Sequence, residues 1–276
     1  MGHAWIGAQA PQLEQCRYDG SDLLFRGPRK PLDADFIACL GGSETFGRFI
    51  AAPFPDLLEE ATGVICVNFG WPNAGVDVLS GDGALLDCAA RARLTVIEVP
   101  GAVNMSNMYY RVHPRRNDRF LAPSEALRAL YPEVDFTEFS FTRHLLGRLR
   151  DLSGARFAYI RRELCTLWVA GMRTIIGQID GPVVLMWFGI RTPDRDDDTP
   201  DIAADPALVS RAMLEALRDK VAAIVEVPFG RADRGADTGG GRRGEDLRAA
   251  RELLSPGAHR VAATTLAPVA RAILQG

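Results

Sequence analysis

The sequence lacks the features that mark membrane, secreted and nucleic-acid-binding proteins. It has no apolar run long enough to cross a bilayer, and its first residues, Met1-Gly2-His3-Ala4-Trp5, lack the basic and apolar segments of a signal peptide. Its 32 basic and 35 acidic side chains give a net charge of -3, without the basic surplus typical of nucleic-acid binding. We therefore expect a cytoplasmic protein with no nucleic-acid partner and no membrane partner.

Cysteine is also scarce, and its five copies are scattered along the chain. They form no Cys-x-x-Cys pair, so the sequence predicts neither a zinc site nor a disulfide framework. Cys39 and Cys66 lie inside apolar runs, as small core residues do. We expect a reducing compartment and no metal or organic cofactor.

The sequence does contain enough apolar residues for a large core. They make up 47% of 276 positions, which suits one α/β domain with room for an inserted helical subdomain. Residues 1–33 are polar and interrupted by prolines and glycines, so we interpret them as an N-terminal arm. An arm of this kind could support a homo-oligomer contact. The domain itself is expected over residues 34–276.

Short apolar runs alternate with helical patterns along this domain, which predicts a parallel sheet with right-handed crossovers. Residues 118–180 show helical patterns and predict a helical insert between the third and fourth strands. We expect a three-layer, flavodoxin-like α/β fold. The expected strands lie at residues 36–40, 64–69, 94–99, 183–188 and 222–227.

Three later segments have their own predictions. Pro206 suits the first turn of a helix, so a helix is predicted from Pro206 to Lys220. Residues 230–244 are rich in Gly, Arg and Asp and predict a loop, and a helix is expected over 245–254. Residues 255–259 predict a turn that places His259 just before the last helix.

The most informative stretch is FIACLGGSETFG, residues 36–47. An apolar run ends in Gly41 and Gly42, which allow a sharp turn, and Ser43 follows at once. The stretch lacks the lysine of a phosphate loop and the Gly-x-Ser-x-Gly of an α/β-hydrolase elbow. A hydroxyl after a parallel strand lies where such sheets bind ligands, and the alternative is that Ser43 only caps a helix.

Other polar residues follow the next strands. Asn73 and Gly75 come after the second strand, Asn104 comes after the third, and His259 comes late in the chain. Because parallel strands end on one edge of a sheet, these residues can meet near Ser43. A hydroxyl, an imidazole and amide donors are the groups that acyl transfer requires, so these residues could supply the roles of an acyl-transfer site.

The residues around Ser43 resemble the first block of the SGNH/GDSL hydrolases, with Gly42 where that family usually has Asp. The resemblance runs from residue 34 to residue 275 and implies that Ser43 is a nucleophile. The glycine region after the second strand resembles the second block, which implies an oxyanion donor at Asn73 or Gly75.

The third and last blocks of that family have counterparts as well. Pro100-Gly101-Ala102-Val103-Asn104 resembles the third block, which implies a donor at Asn104, with Asn107 as the rival assignment. The last block is Asp-x-x-His, and His259 matches it with Pro256 at the Asp position. The resemblance implies that His259 is the base.

The ring of His259 would then need an orienting group. A backbone carbonyl or an acid of the 191–198 loop, such as Asp194, could orient it, or the site could work as a Ser–His dyad. His113 and His144 are alternative bases.

A basic segment, HPRRNDRF, occupies residues 113–120. We expect Arg115 or Arg116 to bind an anionic group of the substrate, and the alternative is a solvated turn paired with Asp118. The Asn-Met-Ser-Asn of residues 104–107 and the Arg-Arg-Asn-Asp-Arg-Phe of residues 115–120 are also similar to an uncharacterised bacterial subgroup of the SGNH superfamily. That likeness implies no established activity.

The expected function is hydrolysis of an ester, such as an O-acetyl group, on a small or carbohydrate-like substrate. Ser43 would attack the carbonyl, and His259 would take the proton and return it to the leaving alcohol. The alternatives are an O-acyltransferase on the same site and a degenerate SGNH fold that binds or scaffolds without catalysis.

Overall fold

The computed structural model describes residues 13–193, 202–230, 233–235 and 250–276. Asp194 and most of the residues predicted as the 230–244 loop and the 245–254 helix lie outside these ranges. The described strands are β1 (Gln15–Cys16), β2 (Phe25–Arg26), β3 (Phe36–Gly41), β4 (Ile65–Gly70), β5 (Leu94–Glu98), β6 (Tyr110–His113), β7 (Arg116–Pro123), β8 (Val183–Gly189) and β9 (Ala223–Pro228).

Five of these strands form a parallel sheet in the order β4-β3-β5-β8-β9. They coincide with the five apolar runs of the sequence, so the prediction of a parallel α/β sheet is confirmed. The central strands are buried along their whole length, which is why they are continuous apolar runs rather than alternating ones.

Helices pack on both faces of this sheet, and none of the described ones combines the length and apolar character that a bilayer span needs. The described α-helices are α1 (Ser43–Phe46), α2 (Phe54–Thr62), α3 (Val76–Gly81), α4 (Gly83–Ala90), α5 (Glu125–Leu130), α6 (Thr142–Leu152), α7 (Gly154–Gly177), α8 (Arg211–Glu215) and α9 (Pro256–Gln275). Short 3-10 turns cover Phe136–Glu138 and Arg218–Lys220.

Two apolar cores result, because successive strand side chains point to opposite faces of a sheet. On one face, Ile37 packs in a cluster with Leu58 of α2 and Leu266 of α9. On the other, Phe36 shares a cluster with Trp168 of α7, a helix that the apolar stripe of residues 157–176 correctly predicts. Trp168 also donates its indole N–H to the Pro100 carbonyl at 2.8 Å, which ties the loop after β5 to α7.

The described part of the N-terminal segment packs against the sheet. Strands β1 and β2 pair antiparallel, and the rings of Tyr18 and Phe25 lie 5.0 and 5.3 Å from that of Phe69 in β4. The guanidinium of Arg26 donates to the carbonyls of Gly47 at 2.6 Å and Ile50 at 2.9 Å. This segment therefore supports the loop that follows α1.

Between β5 and β8 the chain forms a hairpin before its helices. Strand β6 pairs antiparallel with β7, where the sequence predicts a basic turn followed by helix alone. The alternation of buried Tyr110 and Val112 with exposed Arg111 is the strand signal that the charge of the segment obscured. The hairpin brings Asp118 to the edge of the sheet, where it lines the cavity described below.

Two late predictions are corrected in detail. The predicted helix at Pro206 begins only at Arg211, because Ser210 caps it by accepting the Met213 N–H. His259 lies inside α9 rather than in a turn, because Ser255 caps that helix and Pro256 occupies its first turn.

Candidate functional site

A cavity of about 520 Å³ opens at the carboxyl ends of β3, β5 and β8. Its floor includes Ser43, Asn73 and Asn104, which follow three strands of the sheet. The hairpin, α6 and the segment before α8 supply the opposite wall, with Asp118, Thr142, Arg143, His144 and Asp205. Ligands of parallel α/β sheets bind at this edge, so this is the candidate site.

Ser43 is the first residue of α1, and its hydroxyl contacts Asn73. The Oγ atom accepts the Asn73 backbone N–H at 3.0 Å and donates to Asn73 Oδ1 at 3.3 Å. Asn73 has a φ of 59°, in the left-handed region that Asn adopts more readily than most residues. The loop after β4 thus brings a backbone donor to the predicted nucleophile.

Glu98, at the end of β5, is a residue that sequence reasoning missed. One oxygen, Oε2, accepts the N–H of Gly42 at 3.0 Å and that of Thr45 at 2.9 Å, and also the Thr45 hydroxyl. Burial raises the pKa of Glu98 to about 6, against the opposing effect of these hydrogen bonds. The available signal was an acid inside the apolar strand LTVIEVP.

Glu44 is the second carboxyl group that the sequence did not single out. Its two oxygens lie 3.1 and 3.2 Å from the Leu254 backbone nitrogen, whose N–H they accept. Burial, and next the neighbouring charge of Glu98, raise the pKa of Glu44 well above its usual value. Two carboxyl groups with raised pKa values, Glu98 buried and Glu44 partly buried, therefore line the cavity together with Ser43.

His259 is completely buried beneath this wall. Its Nδ1 accepts the Phe54 backbone N–H at 3.1 Å, and its ring centroid lies 5.2 Å from that of Phe188. Because Nδ1 accepts, the neutral ring carries its proton on Nε2, which lies 3.8 Å from Glu44 Oε2. Burial lowers the pKa of His259 to about 3.

The expectation that His259 takes the proton of Ser43 does not fit this arrangement. The lone pair of Nδ1 accepts the Phe54 N–H and Nε2 holds the ring proton, so the ring has no free lone pair to take the proton of Ser43. The buried Nε2 has no hydrogen-bond partner in the described part of the chain. Within the described ranges, the hydroxyl of Ser43 bonds to Asn73 and not to His259. The physical reason is the helical position of His259, which turns the ring into the core instead of toward the cavity.

Of the predicted oxyanion donors, Asn104 and Asn73 line the cavity and Gly75 is engaged elsewhere. The Gly75 N–H donates to Asn117 Oδ1 at 3.0 Å, and a Cβ at Gly75 would lie 2.0 Å from the Asn104 carbonyl oxygen. Thr142 donates its hydroxyl to Asn104 Oδ1 at 2.6 Å, and no hydrogen bond in the described ranges uses the Nδ2 group of Asn104. Asn104 can therefore donate to a ligand.

The rival residue Asn107 is used by its own loop. Its Oδ1 accepts the N–H groups of Tyr109 and Tyr110 at 2.9 and 3.2 Å, and its Nδ2 donates to the Met105 carbonyl at 3.0 Å. Asn107 lines a different cavity from Ser43. The structure therefore brings Asn104, and not Asn107, to the candidate site.

The arginines expected to bind an anion are not brought to Ser43. Arg115 pairs with Asp22 at 2.6 Å and lines a separate cavity of about 920 Å³. Arg116 is exposed at the start of β7. His113 Nδ1 accepts the backbone N–H groups of both arginines at 3.2 Å, so this alternative base is committed to the hairpin turn.

His144 differs from the other two imidazoles, because it is exposed on α6 and lines the cavity that contains Ser43. Its ring lies 4.9 Å from that of Phe139. Asp118, on the same wall, has a buried Oδ1 without a hydrogen-bond partner in the described part of the chain. An accessible imidazole and an unpaired carboxylate oxygen thus share the wall opposite the sheet.

A family model described as a domain of unknown function (DUF6473) matches residues 1–274. The chain belongs to the DUF6473 family. No curated protein matches the sequence. The family description states no activity, so the chemistry of the site follows from its side chains.

The described lining of the cavity contains more acidic than basic side chains. Among the described residues, the arginines that line the cavity are paired, Arg143 with Asp205 and Arg234 with Glu252, the latter at 2.9 Å. Outside the undescribed segments, no three His, Cys, Asp or Glu side chains are grouped closely enough to hold a metal ion. The wall therefore offers little to attract an anionic ligand.

Proposed function

We propose that this chain is a serine hydrolase of the SGNH type that cleaves an ester in the cavity at Ser43. The observation that carries the proposal is the 3.0 Å contact between the Ser43 hydroxyl and the Asn73 N–H, in a cavity that Asn104 also lines. An oxygen nucleophile beside amide donors is the arrangement that acyl transfer needs.

In the proposed mechanism, Ser43 Oγ attacks the ester carbonyl and its proton passes to His144. His144 is chosen as the base because its ring is exposed on the cavity wall, whereas Nδ1 of His259 and Nδ1 of His113 each accept backbone N–H groups and the ring of His259 is buried. Protonated His144 then gives the proton to the leaving alcohol. Water hydrolyses the acyl-serine in the same way.

The oxyanion of the tetrahedral intermediate is held by amide donors. As the Ser43 hydroxyl becomes the ester oxygen, the Asn73 N–H turns from it to the adjacent oxyanion, and Asn104 Nδ2 donates from the other side. Losing one such donor typically lowers the rate on the order of 100-fold.

We propose an uncharged substrate, such as an O-acetyl ester of a small or carbohydrate-like molecule. The pairing of Arg143 and Arg234 with acids supports this choice over an anionic substrate. The volume of about 520 Å³ suits a ligand of this size.

We also propose the finer description of the fold. The five sheet strands follow the chain order 2-1-3-4-5, which is that of flavodoxin-like, doubly wound sheets. The helical insert at 118–180 would begin inside β7 and continue through α5, α6 and α7.

A fluorophosphonate probe tests the proposal directly. The full chain should be labelled at Ser43, as located by peptide mass spectrometry, and Ser43→Ala should not be labelled. Replacing His144 by Asn should slow labelling by about 100-fold or more, the usual contribution of a general base. A wild-type protein that stays unlabelled over pH 6–9 would overturn the assignment of Ser43.

A binding protein without catalysis is the second candidate, and the burial of His259 favours it. In that case the cavity would have the architecture of an esterase, while His259 would only pack in the core. Small polyols and their esters should then raise the melting temperature without any turnover or labelling. Transfer instead of hydrolysis would appear as a new ester when an alcohol acceptor is added.

A further inference from the structure

We propose that Glu98 is the positioning residue of Ser43, and that it holds the turn between β3 and α1 so that the hydroxyl faces the cavity. This inference rests on the proposed function and extends it to a side chain on a different strand. It gives the buried carboxylate at the end of β5 a role in reactivity rather than in folding alone.

The hydrogen bonds of Glu98 bracket the nucleophile. Its Oε2 accepts the N–H of Gly42, one residue before Ser43, at 3.0 Å and that of Thr45, two residues after it, at 2.9 Å. The Thr45 hydroxyl donates to the same oxygen. A turn that is held on both sides by one buried atom has little freedom to rotate Ser43 away. Glu98 makes no described hydrogen bond to Ser43 itself, so it acts through the backbone.

The sheet register brings the carboxylate to this turn. Leu40 pairs with Ile97, so Glu98 lies beside Gly41 at the end of the adjacent strand. A Cβ at Gly41 would lie 2.5 Å from Glu98 Oε2 and 2.1 Å from Thr45 Oγ1. The side chain can therefore reach the turn only because Gly41 has none.

The charge of Glu98 strengthens this arrangement, because hydrogen bonds to an ionised acceptor are roughly twice as strong as neutral ones. The charged groups that face it are Glu44 on α1 and Asp205 before α8, which is itself paired with Arg143. With a pKa raised to about 6, mainly by burial, the carboxyl group loses its charge on mild acidification. The reactivity of Ser43 should fall as pH drops below that value.

The experiment measures the second-order rate constant of fluorophosphonate labelling at Ser43 from pH 5 to pH 9. Glu98→Gln should lower the rate about 10- to 100-fold at pH 8, the size expected for a displaced nucleophile. This ratio of wild-type to variant rates should shrink as pH falls through about 6, where wild-type Glu98 loses its charge, while protonation of the base His144 affects both proteins and cancels in the ratio. Glu226→Gln is the matched control, since this acid lies on β9 and pairs with Arg211 away from the cavity. It should leave both the rate and the pH profile unchanged.

The outcomes separate this inference from the proposed function. If wild-type protein is labelled and Glu98→Gln shows the same rate and pH profile, Glu98 has no positioning role and Ser43 is still the nucleophile. Absence of wild-type labelling would end both. Should Glu98→Gln fail to fold, Thr45→Val removes only the hydroxyl bond and should slow labelling several-fold and shift the decline to higher pH. An unchanged Thr45→Val profile would overturn the inference.

Discussion

Replacing His259 by Asn should change how the stability of the fold depends on pH. The Asn Oδ1 can accept the Phe54 N–H as the imidazole Nδ1 does, but the amide does not titrate. Burial lowers the pKa of His259 to about 3, against 6.5 for an exposed imidazole. On acidification the unfolded chain therefore takes up this proton first, and unfolding becomes easier.

The sign and size of the effect follow from this difference. The contribution of His259 is fully present above pH 6.5 and is lost as pH falls toward 3, because only the unfolded state is protonated in between. At about 1.36 kcal/mol per pH unit, the whole range amounts to about 5 kcal/mol. Between pH 7.5 and pH 5 the loss should be about 2 kcal/mol.

Urea unfolding, followed by tryptophan fluorescence, measures the free energy of unfolding at each pH. The stability of wild type minus that of His259→Asn should fall by about 2 kcal/mol from pH 7.5 to pH 5. The difference between the two proteins is used because Glu44 and Glu98 have raised pKa values, so their titration changes stability in the opposite direction. Both acids are present in both proteins, and their effect cancels in the difference. His144→Asn, which replaces an exposed ring by the same amide, is the matched control for the substitution itself.

Two results would refute the reasoning about His259. A flat difference between wild type and His259→Asn would mean that the ring is not held neutral in the core. A loss of Ser43 labelling of about 100-fold in His259→Asn at pH 7.5 would return this residue to the role of base. We expect a change of less than about threefold, since the variant keeps the hydrogen bond and the nearby packing.

Three further predictions concern the cavity and its surroundings. Asn104→Ala should lower kcat on the order of 100-fold with little change in KM, because the amide acts on the oxyanion; an effect on KM alone would contradict this. Glu98 contributes stability that is fully present below pH 4.5 and is lost as pH rises through about 6. Glu98→Gln should therefore gain about 2 kcal/mol over wild type between pH 4 and pH 8 in urea unfolding, and a constant difference would show that the acid is not buried as described. Arg115→Ala should leave ester kinetics unchanged, since its partner Asp22 lies at another cavity; a raised KM would return it to substrate binding.

The sheet could be predicted from sequence because its strands are apolar runs bounded by glycine, proline or charge. Helix α7 could be predicted because Phe157, Leu164 and Trp168 repeat on one face. The hairpin β6–β7 was missed because its charged residues suggested a turn, although Tyr110 and Val112 alternate with polar neighbours.

The site was predictable only in part. Ser43, Asn73 and Asn104 could be placed together because each follows a strand of one parallel sheet. The environments of Glu98 and His259 could not, because burial depends on what packs over a residue from distant parts of the chain. For His259, the cap at Ser255 and the proline after it did signal a helix start, and the resemblance to another family outweighed that signal.

The contacts of Arg26 and Phe25 have a consequence for where the protein can be shortened. A chain begun at residue 34 would lose the guanidinium that bridges the Gly47 and Ile50 carbonyls, and would uncover the ring of Phe69. Water would then reach an apolar surface beside the loop that follows Ser43 and α1. A truncation at residue 34 would therefore yield a protein prone to aggregation, with a loosened loop after α1, so variants for functional work should keep strands β1 and β2.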